Sequence, residues 1–109
     1  MEKGEIWIVQ FLSKKGREQE GIRPAIIISD TKTNLVLLIP LTSNLDALKK
    51  LPFTLEIKKS HENNLGKDSI ALVFQLQALD KRRLKNKIGK LESDKMNEIN
   101  RTLREMFNL

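Results

Sequence analysis

Residues 20–30, EGIRPAIIISD, decide the fold of this chain because they join a polar segment to a strand of unusually apolar composition. Pro24 is followed by an alanine and three isoleucines, and β-branched residues of this kind favour a buried strand. Arg23 precedes the proline, which disfavours helical backbone at Arg23 and holds it in an extended conformation. The sequence therefore predicts a positive charge held at the mouth of a buried strand.

A second apolar run, residues 35–42 (LVLLIPLT), follows after a short polar stretch, and the two runs predict a β-hairpin. If the turn is symmetric about Lys32 and Thr33, residues whose numbers sum to about 65 lie opposite each other, which pairs Arg23 with Thr42. A register slip by two residues would keep both at the same end of the hairpin. Pro40 cannot donate a ladder hydrogen bond, which predicts an edge or bulge position there.

The remaining sequence extends this hairpin into a domain that is mainly β with α. Its strands are expected to be mostly antiparallel, and a C-terminal helix is expected to cover them. We expect one domain over residues 1–109. Residues 12–21 are predicted to form a polar loop that is long for a hairpin connection and is a candidate functional loop. The other predicted elements are strands at residues 5–11, 53–58, 68–79 and 84–92, and a helical turn at residues 45–50.

The C-terminal helix has the clearest pattern of all the elements. Ser93 or Asp94 is expected to cap its first turn. Its apolar residues recur at helical spacing and predict one buried face, made of Met96, Ile99, Leu103, Met106 and Phe107.

Composition restricts the class of protein. The chain has 109 residues and no cysteine, which excludes a disulfide framework and a thiolate metal site. No apolar run approaches the length of a membrane span, and the first residues do not have the pattern of a signal peptide. We therefore expect a soluble, cytoplasmic protein.

The formal net charge is +6, and the excess is concentrated in residues 81–90 (KRRLKNKIGK), which hold six basic residues and no acidic one. Such a run indicates a polyanionic partner or a solvated lysine-rich face. Charge alone does not decide between them.

The predicted hairpin brings together the groups that a phosphate site needs. Arg23 offers a planar cation that keeps its proton, and Thr42 and Ser43 add two hydroxyls from the end of the opposite strand. Glu18 supplies a carboxylate within reach from the loop at residues 12–21. Each residue alone is an ordinary strand-end or turn residue, but together they predict a phosphate-binding site.

Six segments carry a family resemblance, and they occur in one order along the chain: KGEIWIVQF, GREQEGIRPAIII, IPLTSN, KDSIAL, LDKRRL and DKMNEINRTL. In order and spacing they resemble the MazF/PemK family of toxin ribonucleases from bacterial toxin-antitoxin pairs, from about Lys3 to Leu109. The resemblance implies an SH3-like barrel of the CcdB/PemK type and a homodimer. It also implies endonuclease activity on single-stranded RNA at short sequence motifs, with no metal or other cofactor.

Residue by residue, Arg23 and Thr42 match the family positions that matter most for cleavage. The positions that support the site or contact RNA are matched by Glu18, Gln19, Ser43 and Gln75. The implied reaction is attack of the ribose 2′-hydroxyl on the adjacent phosphate, which leaves a 2′,3′-cyclic phosphate and a 5′-hydroxyl end. Arg23 is then expected to stabilise the phosphorane and Thr42 to bind a phosphate oxygen, with Glu18 as the candidate base.

The chain departs from the family pattern in the stretch FQLQALD. Phe74 and Gln77 stand where many members have an acidic residue and an arginine, which affects base selection. Phe74 is a candidate for stacking on a base, whereas most other aromatic side chains are expected to alternate into the core. Some members have a histidine at the position of Arg17, and the single histidine here, His61, is expected to be a surface residue.

Two other functions fit the same resemblance. A CcdB-like toxin that binds DNA gyrase without cutting is one, although such a protein has no use for Arg23 and Thr42. A catalytically silent module that binds RNA or an antitoxin is the other, and the altered FQLQALD strand leaves it open. The basic run at residues 81–90 then has three interpretations: an RNA-backbone site, an attraction for the acidic, disordered tail of an antitoxin, or a solvated face.

Overall fold

The structure is a computed structural model, and it describes residues 1–11, 21–48 and 50–109. These residues form strands and helices in the following order: β1 (Glu5–Gln10), β2 (Ile22–Asp30), β3 (Leu35–Thr42), α1 (Leu45–Leu48), β4 (Thr54–Ile57), β5 (Ser69–Leu72), β6 (Gln77–Asp80), β7 (Leu84–Lys90) and α2 (Ser93–Phe107). Short 3₁₀ turns at Val73–Gln75 and Lys81–Arg83 precede β6 and β7.

The strands form one antiparallel sheet in the order β4-β5-β3-β2-β1-β7, and β6 also pairs with β3. The prediction of a mainly β, antiparallel fold with a C-terminal helix is confirmed. Within the described ranges no ladder joins β7 to β6 or to β4, so the sheet curves without closing and the barrel is an open one.

The register between β2 and β3 is the one that the symmetric hairpin predicts. Three successive pairs have residue numbers that sum to 65, and the last of them sets Ala25 opposite Pro40. A bulge after Ile27 shifts the register by one residue, and the shift affects only the pairs nearer the turn. Arg23 and Thr42 each lie two residues beyond the Ala25–Pro40 pair, so they lie at the same open end of the hairpin.

The prediction of one long strand over residues 68–79 is wrong, because this segment forms β5 and β6 with a 3₁₀ turn between them. Ala71 in β5 pairs with Leu41, and Gln77 in β6 pairs with Leu38. Five residues of this segment (72–76) therefore span two residues of β3 (39 and 40), and the excess leaves the ladder as a turn. Pro40 is one of those two residues and has no N–H to donate there.

Pro40 itself lies in β3, which has neighbours on both sides, so an edge position is excluded. It is buried and paired with Ala25 of β2. On its other side the ladder is interrupted between the Leu41–Ala71 and Leu38–Gln77 pairs, so the bulge alternative of the prediction fits this position.

Side chains of the central strands alternate between two buried clusters. One cluster contains Ile6, Ile26, Ile39 and Leu41, and α2 packs on it. The other contains the alternate residues of β1 to β3, among them Val9, Ala25 and Leu38, together with Phe11. Since both clusters draw on β1, β2 and β3, these three strands form a rigid platform for whatever lies at their ends.

Helix α2 buries the predicted face except at its end. Ile99 is buried, and three further residues of that face pack around it: Met96, Leu103 and Met106. Phe107 is 54% exposed, so its assignment to the buried face is wrong. None of the helices in the described parts of the chain is long and apolar enough to cross a lipid bilayer.

The predicted cap of α2 at Ser93 or Asp94 is also wrong. The residue before the first turn is Glu92, and no side chain caps the helix amides. The Glu92 carboxylate instead accepts hydrogen bonds from the Ser60 hydroxyl and from the Asn63 side-chain amide. The start of α2 is therefore tied to the loop that follows β4.

Candidate active-site cleft

A cleft of about 320 Å³ lies where β2 begins and β3 ends. Two of its walls are the strand ends that carry the predicted residues, Arg23 on one and Thr42 with Ser43 on the other. The third wall is the segment that leads into β5. The lining residues are Ile22, Arg23, Pro24, Leu41, Thr42, Ser43, Leu65, Gly66, Lys67 and Ser69. The fold therefore brings Arg23, Thr42 and Ser43 into one cavity.

Arg23 is half-buried at this end of the sheet, and its guanidinium lies over an aromatic ring. The guanidinium carbon is 5.3 Å from the centroid of the Phe11 ring, within the range of a cation–π contact. Its Nε is buried and has no hydrogen-bond partner among the described residues. Arg23 forms no ion pair with the described carboxylates, and the contact with Phe11 helps to hold its guanidinium in place.

The Thr42 hydroxyl already accepts one hydrogen bond. The Asn44 backbone N–H donates to Thr42 Oγ1 at 3.2 Å, which fixes the rotamer of the hydroxyl. Because that oxygen already accepts, its own O–H remains to donate to an anionic ligand. Ser43 is exposed beside it. The cleft thus contains a cation and two hydroxyls.

Two of the predicted RNA-contacting residues lie outside the part of the chain that the structure describes, namely Glu18 and Gln19. Arg17 lies in the same segment. Their arrangement relative to Arg23 stays a prediction.

Gln75 is described, but it does not line the cleft with Arg23. It lies exposed in the 3₁₀ turn between β5 and β6, where its carbonyl accepts a hydrogen bond from the Gln77 side chain at 3.1 Å. Gln77, which occupies the position of a family arginine, therefore supports the turn locally in this structure.

The expectation that most aromatic side chains alternate into the core is wrong for the phenylalanines. Phe11 is buried, whereas Phe53, Phe74 and Phe107 are 38%, 41% and 54% exposed. Phe74 and Phe53 are neighbours, since the Phe74 N–H donates to the Phe53 carbonyl at 3.3 Å. Phe74 is thus accessible for stacking, but on the turn rather than on the cleft wall.

Four of the six basic residues in the run at residues 81–90 form ion pairs. Lys81 Nζ lies 2.6 Å from Asp30 Oδ1, and this hydrogen bond lowers the pKa of Asp30 to about 2, assisted by the Lys32 backbone N–H. Three further pairs join this run to carboxylates: Arg82 with Asp80, Lys87 with Glu5, and Lys90 with Glu2. Within the described residues only Arg83 and Lys85 of the run form no ion pair, and both line a surface depression beside Gln10.

Lys67 is a cleft residue that the sequence reasoning did not single out. It precedes Asp68 and Ser69 at the start of β5, and β5 pairs Ile70 with Thr42. Lys67 lies in the cleft because β5 pairs with the end of β3. The sequence reasoning predicted one long strand over residues 68–79 and did not predict this pairing, so it could not place Lys67 near Thr42.

The chain matches the family described as PemK-like, MazF-like toxin of type II toxin-antitoxin system over residues 2–107. It is 36% identical to endoribonuclease MazF of Staphylococcus saprophyticus over 107 residues, which covers 94% of this chain and 88% of that protein.

Solved structures of similar proteins have the same fold. The crystal structure of MazF from Deinococcus radiodurans superposes with a TM-score of 0.78 at 25% identity, covering 100% of this chain and 97% of that one. A MazE-MazF structure from the same organism gives 0.76 at 23% identity, covering 100% and 96%. The family resemblance read from the six sequence segments and the SH3-like fold that it implied are confirmed. The chain belongs to the PemK-like, MazF-like toxin family of type II toxin-antitoxin systems.

Proposed function

We propose that this chain is the toxin of a toxin-antitoxin pair and cleaves single-stranded RNA without a metal ion. It is an endoribonuclease, the enzyme class of its relative from Staphylococcus saprophyticus. The observation that carries the chemistry is the cleft that gathers Arg23, Thr42 and Ser43 at the end of the hairpin. A cleft with one guanidinium and two hydroxyls suits a phosphodiester, which presents charged oxygens to all three groups.

The substrate supplies the nucleophile in this reaction. The ribose 2′-oxygen forms a bond to the adjacent phosphorus, the bond from phosphorus to the 5′-oxygen breaks, and the products carry a 2′,3′-cyclic phosphate and a 5′-hydroxyl. Glu18 is the candidate to take the proton of the 2′-hydroxyl, and the leaving oxygen gains a proton from water. The protein therefore needs no nucleophile of its own.

Arg23 stabilises the charge that develops on the phosphorane. A guanidinium keeps its proton at physiological pH, so it cannot act as the base but remains a permanent donor. Its contact with the Phe11 ring and the burial of Nε hold it in place before substrate binds. A preorganised cation of this kind contributes more than one that must be ordered during the reaction.

The other site residues bind the substrate around this centre. Thr42 donates its free O–H to a phosphate oxygen, and Ser43 supports the same group. Glu18 and Gln19 support the site or contact RNA, as the family resemblance implies, and Gln75 contacts RNA from the turn that also carries the exposed Phe74.

The proposal includes two protein partners. One is a cognate antitoxin with an acidic, disordered segment, as a MazE-MazF structure is known for the relative from Deinococcus radiodurans. The other is a second copy of this chain, since a homodimer would cover exposed apolar side chains such as Phe53 and Phe107.

Incubation of the purified chain with long single-stranded RNA in excess EDTA, with the new ends mapped by sequencing, tests this function. We expect discrete cuts with 5′-hydroxyl ends from the parent, and no cuts from Arg23→Ala at unchanged circular dichroism. Arg83→Ala, which removes an arginine outside the cleft, is the matched control and should cut. A folded parent that cuts none of several RNAs would contradict the proposal and favour a gyrase-binding or silent module.

A further inference from the structure

Lys67 adds a second cation to the cleft. We propose that it binds the RNA phosphate next to the scissile one and so positions the substrate over Arg23 and Thr42. This inference rests on the proposed function and assigns a substrate-binding role to a residue of the same cleft.

The strand order places the two cations on opposite sides of β3. Arg23 lies on β2, Lys67 lies two residues before the start of β5, and both strands are neighbours of β3, which ends in Thr42. Arg23 and Lys67 therefore reach the cleft at the Thr42 end of β3 from its two sides. A phosphate held by Arg23 and Thr42 leaves Lys67 to bind the neighbouring phosphate of the strand.

The backbone around Lys67 is anchored on both sides. The Ser69 hydroxyl donates to the Lys67 carbonyl at 2.9 Å, and Asp68 Oδ1 accepts from the Lys59 backbone N–H at 2.9 Å. Ile70 then pairs with Thr42 in the ladder. These contacts fix where the lysine stem begins relative to the Thr42 hydroxyl.

The side chain of Lys67, in contrast, has no partner in the described parts of the chain. It is exposed, and among the described residues it forms neither an ion pair nor a side-chain hydrogen bond. Four cations of the basic run at residues 81–90 do have carboxylate partners. Lys67 thus differs from the lysines and arginines whose charge the fold uses.

The described walls of the cleft hold two cations, Arg23 and Lys67. A single-stranded nucleic acid presents successive phosphates along its backbone, which is the charge pattern that these two cations match.

Binding and cleavage by Lys67→Met test the inference, with Lys58→Met as the matched control. Lys58 is an exposed lysine outside the cleft that also forms no ion pair in the described parts of the chain, so both variants lose one charge. Fluorescence anisotropy measures the affinity for a labelled, fully 2′-O-methylated RNA, which cannot cleave itself. Its sequence is the one that the parent cuts, or a mixed sequence if no cut is found.

We expect Lys67→Met to weaken RNA binding and to raise KM by about three- to tenfold, with kcat within about twofold. A contact to a flanking phosphate is made before and during the reaction, so it affects binding rather than the chemical step. The slope of log affinity against log salt should fall in magnitude by about 0.7, the loss of one phosphate contact. Lys67→Arg should restore both.

Equal affinity, KM and salt slope for Lys67→Met and Lys58→Met would overturn the inference while leaving the nuclease proposal intact. A loss of kcat at unchanged affinity would also overturn it, since it would place Lys67 on the scissile phosphate. If the parent does not cleave RNA, the proposed function fails, and the anisotropy measurement still decides whether Lys67 binds phosphate.

Discussion

The guanidinium carbon of Arg23 lies 5.3 Å from the centre of the Phe11 ring, and Phe11 is itself buried in the cluster beneath β1 and β2. The ring therefore joins the core to the cleft. Because a ring fixed by packing cannot move away, the cation above it has little freedom, and its position is set by the core.

Phe11→Leu should lower kcat for RNA cleavage by about tenfold, because the cation loses its aromatic support and its orientation. The free energy of unfolding should fall by only about 1–2 kcal/mol, since leucine keeps most of the apolar volume. Single-turnover cleavage and urea unfolding measure the two effects. Phe107→Leu, at an exposed phenylalanine, is the control, and equal kcat for the two variants would contradict the role of Phe11.

Substitutions of Thr42 separate its hydroxyl from its shape. Thr42→Val keeps the volume and removes the O–H, so kcat should fall by about 10²-fold if this group donates to the phosphate. Thr42→Ser keeps the hydroxyl and should remain within about tenfold of the parent. Cleavage rates at saturating RNA test both, and a valine variant as active as the serine variant would remove Thr42 from the chemistry.

Gly89 lies where β7 passes the loop after β4, with no room for a side chain. A Cβ there would meet the Asn63 carbonyl, and the Glu62 carbonyl oxygen would lie 2.8 Å away. Asn63 is fully buried, and its side chain bonds to the Ser60 N–H and the Lys58 carbonyl, so this backbone cannot move freely.

Gly89→Ala should therefore destabilise the protein by about 2–4 kcal/mol. Gly66→Ala is the matched control, since a Cβ at Gly66 meets nothing within 4 Å. Urea unfolding compares the two variants with the parent. Equal midpoints for Gly89→Ala and Gly66→Ala would show that the loop after β4 yields to the added methyl group.

The Asp30–Lys81 pair predicts an acid-dependent contribution to stability. The pKa of Asp30 is lowered from 3.8 to about 2 by Lys81, so its stabilising effect is complete above the unfolded pKa and is lost as pH falls from about 4 toward 2. Asp30→Asn should be less stable than the parent at neutral pH, and the difference should shrink over that window.

Urea unfolding at several pH values between about 6 and 2 measures this difference. Glu62→Gln is the control, because Glu62 forms no ion pair in the described parts of the chain. A gap between parent and Asp30→Asn that stays constant with pH would contradict the assignment of the stabilisation to the charged pair.

Local sequence patterns predicted the hairpin well. The apolar composition of β2 and β3 and the short turn between them fix which residues face each other, so the meeting of Arg23 and Thr42 could be predicted. The same holds for most of the buried face of α2, whose spacing is set by the helix itself.

Contacts between distant segments were not predictable in the same way. The division of residues 68–79 into β5 and β6 depends on two separate pairings with β3, and the apolar run alone reads as one strand. Helix α2 likewise begins without a side-chain cap, because Glu92 bonds to Ser60 and Asn63 in a loop about thirty residues away in sequence.

The sequence by itself determined the family, through the order and spacing of six motif segments. It also determined the antiparallel class of the fold and the hairpin that puts Arg23 and Thr42 at the same end, because these depend on local composition and on a short turn. Only the tertiary structure decided that Lys67 shares the cleft and that four of the six cations of the basic run have carboxylate partners. The physical reason is that the partner of a charged side chain depends on which segments meet in the fold. Asp30 and Lys81, for example, form an ion pair although they lie far apart in sequence.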